Sequence, residues 1–162
     1  MKRRALIVLA MTCLTGAAQV PSPKEQCESL LDSVLPLAEK MLKEHGEFYP
    51  FGATLKRDGT QALAGADDGT SKPASQPLID LMRSGFRAAA AKREIIASAL
   101  AYDVRVVPPG SGAKTDAVAV EIDHRDGYSV VIYFPYVLQS GGVVFGQAFA
   151  NAGAGSIFPV GG

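Results

Sequence analysis

The stretch Asp116-Ala117-Val118-Ala119-Val120-Glu121-Ile122-Asp123-His124-Arg125-Asp126-Gly127-Tyr128-Ser129-Val130-Val131-Ile132-Tyr133-Phe134 decides the fold. Val118, Val120 and Ile122 alternate with Ala119, Glu121 and Asp123, the period-two pattern of a strand with two unlike faces. Tyr128, Val130, Ile132 and Phe134 repeat the alternation beyond Asp126-Gly127, a pair that favours a tight hairpin turn. Two antiparallel strands, 116–125 and 128–138, are predicted. Downstream, 142–150 reads as a further strand. The last twenty residues are crowded with Gly and Ala, which leaves a strand, an edge segment or a partly disordered tail open there, the tail alternative covering 151–162.

Upstream, the exposed loop Pro108-Pro109-Gly110-Ser111-Gly112 separates this hairpin from another strand, 95–107. Before that strand a second helix runs to about Arg93, with Ser75 as its N-cap. Leu78, Ile79, Leu81, Met82, Phe86, Ala89 and Ala90 form its buried stripe. Residues 67–76 are a polar loop. Two strand-like runs, 48–56 and 60–66, flank Arg57-Asp58-Gly59-Thr60 and predict a first hairpin. Its second strand is thin in Ala and Gly, which predicts a helix packed closely over it.

The first helix spans 22–46. Ser22 and Glu25 form a capping box around Pro23 at the first helical position, and Gly46 supplies the stop. Leu30, Leu31, Val34, Leu37, Ala38, Met41 and Leu42 recur at helical spacing. Pro36 interrupts them and predicts a kink or a break. The order helix, hairpin, helix, meander predicts an α+β domain with an antiparallel sheet of five or six strands. That order is similar to profilin-like and roadblock-like domains, an analogy that carries no function.

Residues 1–18 read as a secretory signal peptide: Lys2, Arg3 and Arg4 form a positive start, and residues 5–14 an apolar run too short for the roughly 20 residues of a membrane helix. Gly16 and Ala18 are the small residues a signal peptidase accepts. The single domain is then 19–162, periplasmic or secreted. Lipid anchoring through Cys13 is disfavoured, because Ala10-Met11-Thr12 is a poor lipobox. Cleavage takes the basic count from 16 to 13 against 16 acidic residues, leaving about minus three. Scattered basic residues on an acidic chain argue against nucleic acid. Cys27 becomes the lone thiol, in phase with the apolar stripe of the first helix and therefore expected to be buried.

The segment Glu44-His45-Gly46-Glu47-Phe48-Tyr49-Pro50-Phe51-Gly52-Ala53, with Tyr102-Asp103-Val104-Arg105-Val106, Asp116-Ala117-Val118 and Phe134-Pro135-Tyr136, resembles a family of small bacterial proteins carrying no assigned activity. The resemblance implies no catalytic residues. Some comparable small proteins protect their producers against toxins.

The richest polar cluster is Glu121, Asp123, His124, Arg125 and Asp126. An oriented general base is one reading. Alternation instead predicts Glu121 and Asp123 on a solvated strand face, with His124 in phase with the apolar set as a satisfied core residue. Asp103 and Arg105 face the same way and predict an exposed ion pair or a partner contact. Ser111 lacks a nucleophile elbow, and the late glycines form no nucleotide cradle. Neither a cofactor nor a metal site is expected, since His45, His124 and Cys27 show no ligand spacing. In Phe48-Tyr49-Pro50-Phe51, strand alternation predicts at least one exposed ring, a candidate contact anchor. The sequence thus points to an exported, non-enzymatic protein-interaction module of inhibitor or immunity type. Phe48, Tyr49, Phe51, Asp103, Arg105, Glu121, Asp123 and His124 are its candidate contacts. The alternative is a periplasmic small-ligand-binding domain with its pocket between the sheet and the second helix.

Overall fold

A computed structural model describes residues 20–69 and 73–158, so the predicted signal peptide and Cys13 lie outside the described residues. The first helix, α1 (Pro23–His45), begins as its sequence dictates. The Ser22 hydroxyl accepts from the Glu25 amide at 3.3 Å, and the Glu25 carboxylate accepts from the Ser22 amide at 2.7 Å. Gly46 ends it in the left-handed conformation and donates to the Leu42 carbonyl at 2.8 Å. Pro36 lies inside α1 without breaking it, which excludes the break of the two expectations. Both Pro36 and Asp32, whose carbonyl loses its donor, are exposed, so the missing bond falls on the solvent side of the helix.

The remaining elements are strands β1 (Phe51–Leu55) and β2 (Gln61–Gly65), helix α2 (Ser75–Ala91), and strands β3 (Ala97–Val106), β4 (Thr115–His124), β5 (Ser129–Gln139), β6 (Gly142–Phe145) and β7 (Phe149–Ala152). All strand pairs are antiparallel, in the order β2-β1-β3-β4-β5-β6, with β7 also on β5. The fold is α+β, with seven strands where five or six were predicted. The surplus strand has a local cause. Gly146 donates to the Pro135 carbonyl at 2.7 Å, but Pro135 has no amide to return the bond, so pairing lapses and resumes at Phe149.

Both Asp-Gly hairpins use one turn. The Lys56 amide donates to the Thr60 carbonyl and Gly59 to the Lys56 carbonyl; His124, Tyr128 and Gly127 repeat the arrangement. Gly59 and Gly127 take the positive φ of a three-residue loop.

The two sheet faces are covered differently. Helix α1 lies on one, burying Cys27, Leu30, Val34, Ala38 and Leu42 against Ala53, Ala99, Val118, Val120 and Ile122. Helix α2 covers part of the other, with Ile79, Met82 and Phe86 against Ile95 and Leu100. The C-terminal strap, residues 153–158, meets this face beside α2, with Ile157 buried in the same cluster as Leu100. Of the alternatives for this segment, the strand holds at Asn151 and Ala152, which end β7, and Ile157 is buried further on; residues 159–162 lie outside the described residues.

Two details of α2 differ from expectation. Ser75 is the first helical residue, and the cap is Ala74, with no side-chain bond. Leu81 is 48% exposed because it stands off the Leu78, Ile79, Met82 and Phe86 stripe. Close helix packing occurs at Gly52 on β1, and not at the thin strand β2, where Gly65 has open space. Among the described residues no helix is long and apolar enough to cross a membrane.

Candidate functional site

Glu121 and Asp123 alternate with the α1-facing residues as predicted, but the face they occupy is closed, so the expected solvated face is corrected. Arg83 of α2 reaches Glu121 through two bonds, Nη2 to Oε2 at 2.5 Å and Nε to Oε1 at 3.3 Å. This bond is the main reason the Arg83 guanidinium holds its proton more tightly than usual. Asp123, 2% exposed, accepts from the Ser129 hydroxyl on one oxygen and from the Ile157 amide at 3.1 Å on the other. Ser129 in turn accepts from the Gly155 amide at 3.0 Å. The two carboxylates fasten a helix and a strap to the sheet.

His124 is a satisfied core residue. Its Nδ1 accepts from the Asp126 amide at 3.0 Å, which leaves the proton on Nε2 to be donated to Gln26 Oε1 at 2.8 Å. Burial holds its pKa below the ordinary 6.5, a shift that Asp126 opposes and Arg125 reinforces. The sign for stability follows. The unfolded chain takes up a proton first as pH falls through about 6.5, so this residue's contribution is complete above that pH and shrinks below it. Thermal denaturation from neutral to mildly acid pH should therefore show a steeper loss for the native protein than for His124→Gln. Parallel curves would contradict the buried neutral ring.

Asp103 and Arg105 share a face but do not pair with each other, which corrects that expectation. Asp103 accepts from the Tyr136 hydroxyl at 3.0 Å, and Arg105 meets Asp116 across the ladder at 3.1 Å. Burial pushes the Asp103 carboxyl upward, against the lowering effect of the Tyr136 bond. Burial, together with the Asp103 charge, pushes the Tyr136 phenol upward.

Phe48 and Phe51 are both buried and meet edge to face at 5.8 Å, so neither is a surface contact. The reason is that β1 starts only at Phe51, and the irregular segment before it escapes strand alternation. Tyr49, 48% exposed, is the ring left outside.

Other candidate nucleophiles are occupied. Cys27 is buried, as its phase on α1 predicts. Its thiol is pushed up to about 12 by burial first, with the Asp123 and Glu28 charges adding to it. Ser111 turns its hydroxyl onto the Pro108 and Ala113 carbonyls of its own loop. Among the described residues no three His, Cys, Asp or Glu side chains converge on a metal position.

The open concavity that the sequence located only loosely is a groove of about 550 Å³ between β2 and α2. Ala64 and Ala66 form one wall, with Leu81, Met82, Gly85 and Phe86 opposite, and the exposed Lys56, Asp67 and Glu94 at the rim. A larger recess of about 660 Å³, lined by Ser22, Glu25, Arg57 and Asp58 among others, lies between the start of α1 and the β1–β2 turn. Small residues on β2 hinted at the groove. Nothing local announced Leu81 as its rim, or Arg83, Gln26 and Ser129 as partners of the polar cluster.

The geometry defines an open-sheet α+β protein with an apolar groove beside an edge strand. No family model, curated protein or solved structure matches the chain.

Proposed function

We propose that the protein acts outside the cytosol as a non-enzymatic interaction module of inhibitor or immunity type, holding an apolar segment of a protein partner in the groove between β2 and α2. The observation that carries this reading is the groove itself: a half-exposed Leu81 stands over Met82 and Phe86 beside a wall of alanines. An apolar floor with charges confined to the rim suits an inserted hydrophobic anchor. The engaged ring nitrogens of His124, the buried Cys27 and the self-bonded Ser111 support a role in binding over one in catalysis. The signal-like start of the chain supports export.

Gly85 gives a clean test. A Cβ there meets nothing within 4 Å, so the side chain of Gly85→Phe starts into open space on the groove side of α2. Leaving glycine should also raise helix stability, by several tenths of a kcal/mol. The native protein, used as bait in periplasmic extract, should retain a partner that Gly85→Phe loses while melting no lower. A bait that returns no partner, or one indifferent to the substitution, would sink the proposal.

A second reading, binding of a small apolar ligand, is favoured by the groove's volume, which falls in the range of small-molecule pockets. A ligand at a hundred times its dissociation constant stabilises the fold by ~2.7 kcal/mol. Under this reading a metabolite panel yields a thermal shift that Gly85→Phe abolishes.

A further inference from the structure

Strand β2 is an edge whose only pairing among the described residues is to β1. Natural sheets guard such edges with charges, prolines, bulges or short strands. The opposite edge is guarded in this way, broken at Gly146 into two four-residue strands. Gln61-Ala62-Leu63-Ala64-Gly65 is itself short, at five residues, but it is unbroken and carries no charge and no proline. Leu63, at its centre, is 62% exposed.

The outward backbone groups can be assigned from the ladder. The Lys56 amide donates to the Thr60 carbonyl, and the Leu55 carbonyl accepts from Ile96 on β3. With Leu55 opposite Gln61 and Ala53 opposite Leu63, alternation turns the amides and carbonyls of Gln61, Leu63 and Gly65 away from β1. These three residues are symmetric about Leu63.

We propose that β2 pairs with β2 of a second copy of this chain, antiparallel about a two-fold axis at Leu63, joining two sheets into one. Leu63 then exchanges both backbone bonds with its own counterpart, and Gln61 does so with the second copy's Gly65. The two Leu63 side chains meet on one face, an isologous contact.

Charge favours this occupant. The same register carries Arg57, in the hairpin turn of one copy, toward residue 69 of the other and the acidic Asp67 beside it. Asp58 and Asp67 each use one oxygen on a backbone amide of their own turn, Thr60 at 2.9 Å and Gly69 at 2.8 Å, and keep the other oxygen and the charge. The strand's lack of charge means that two copies meet without repulsion at the centre.

The edge and the groove share strand β2, whose Gly65 also lines the groove, but their key side chains lie on different sides of it. Leu63 lies on the α1 side of β2, whereas the groove lies on the α2 side, so variants at Leu63 and at Gly85 fail independently. Sedimentation equilibrium on the purified protein should show a dimer. Leu63→Pro removes only the outward amide, and Leu63→Lys sets two like charges together; each should weaken the dimer about tenfold or more while thermal unfolding stays cooperative. Leu63→Cys should form an intermolecular disulfide with oxidised glutathione, and Val144→Cys should not, Cys27 being buried in both. A monomer at the highest soluble concentration overturns the proposal, as does a dimer indifferent to both Leu63 variants. Failure of Leu63→Cys to cross-link, or capture of another protein's strand in place of self-pairing, also overturns it.

Discussion

Gly52→Ala is expected to destabilise the protein by about 3 kcal/mol or more, at the upper end for overpacking by one methyl group. A Cβ at Gly52 would stand 2.2 Å from the Ala99 carbonyl oxygen and 3.0 Å from Phe86 Cζ. The ring could swing aside, but the carbonyl belongs to the backbone of β3, whose Ala99 is fully buried beneath α1. Relief would require separating β1 from β3 or lifting α2. Urea denaturation of the variant measures the loss as a lowered midpoint at unchanged slope. A change within about 0.5 kcal/mol, typical of neutral surface substitutions, would contradict the close approach of β1 to the Ala99 carbonyl of β3. Gly85→Phe, on the neighbouring helix, should cause no such loss, so the pair separates the packed side of α2 from its open groove.

Arg83→Ala should cost about 2–4 kcal/mol. The side chain of Glu121 is 10% exposed and that of Arg83 28% exposed. Removing the guanidinium leaves a carboxylate with little water and no counter-charge, the expensive half of a buried ion pair. Asp80, 3.9 Å from the other guanidinium nitrogen, makes matters worse by leaving a second acid close by. The double variant Arg83→Met with Glu121→Leu should recover most of the stability, since desolvation of both charges disappears with their attraction. A double-mutant cycle isolates the pair. Equal losses in the single and double variants would show that Arg83 matters through its stem packing and not through Glu121.

Much of the architecture could be read locally. The capping box at Ser22, the stop at Gly46 and the turns at Gly59 and Gly127 are short-range chemistry, and each forms where the residues require it. The face of β4 that carries Val118, Val120 and Ile122 was equally plain. The candidate site was less legible. Asp103 and Arg105 are near in sequence, yet each found its partner across the sheet, in Tyr136 and Asp116. Phe48 and Phe51 looked like alternating strand residues, but the strand begins too late for the pattern to hold.

The sequence by itself determined the two helices, the Asp-Gly turns and which side chains of β4 share a face, because side-chain direction follows backbone period within a few residues. Only the tertiary structure decided what covers each face. Glu121 and Asp123 are internal because Arg83 and residues 153–158 close over them, and β2 remains an open edge because no described strand reaches it. Such closures join residues tens of positions apart, and periodicity contains no information about them.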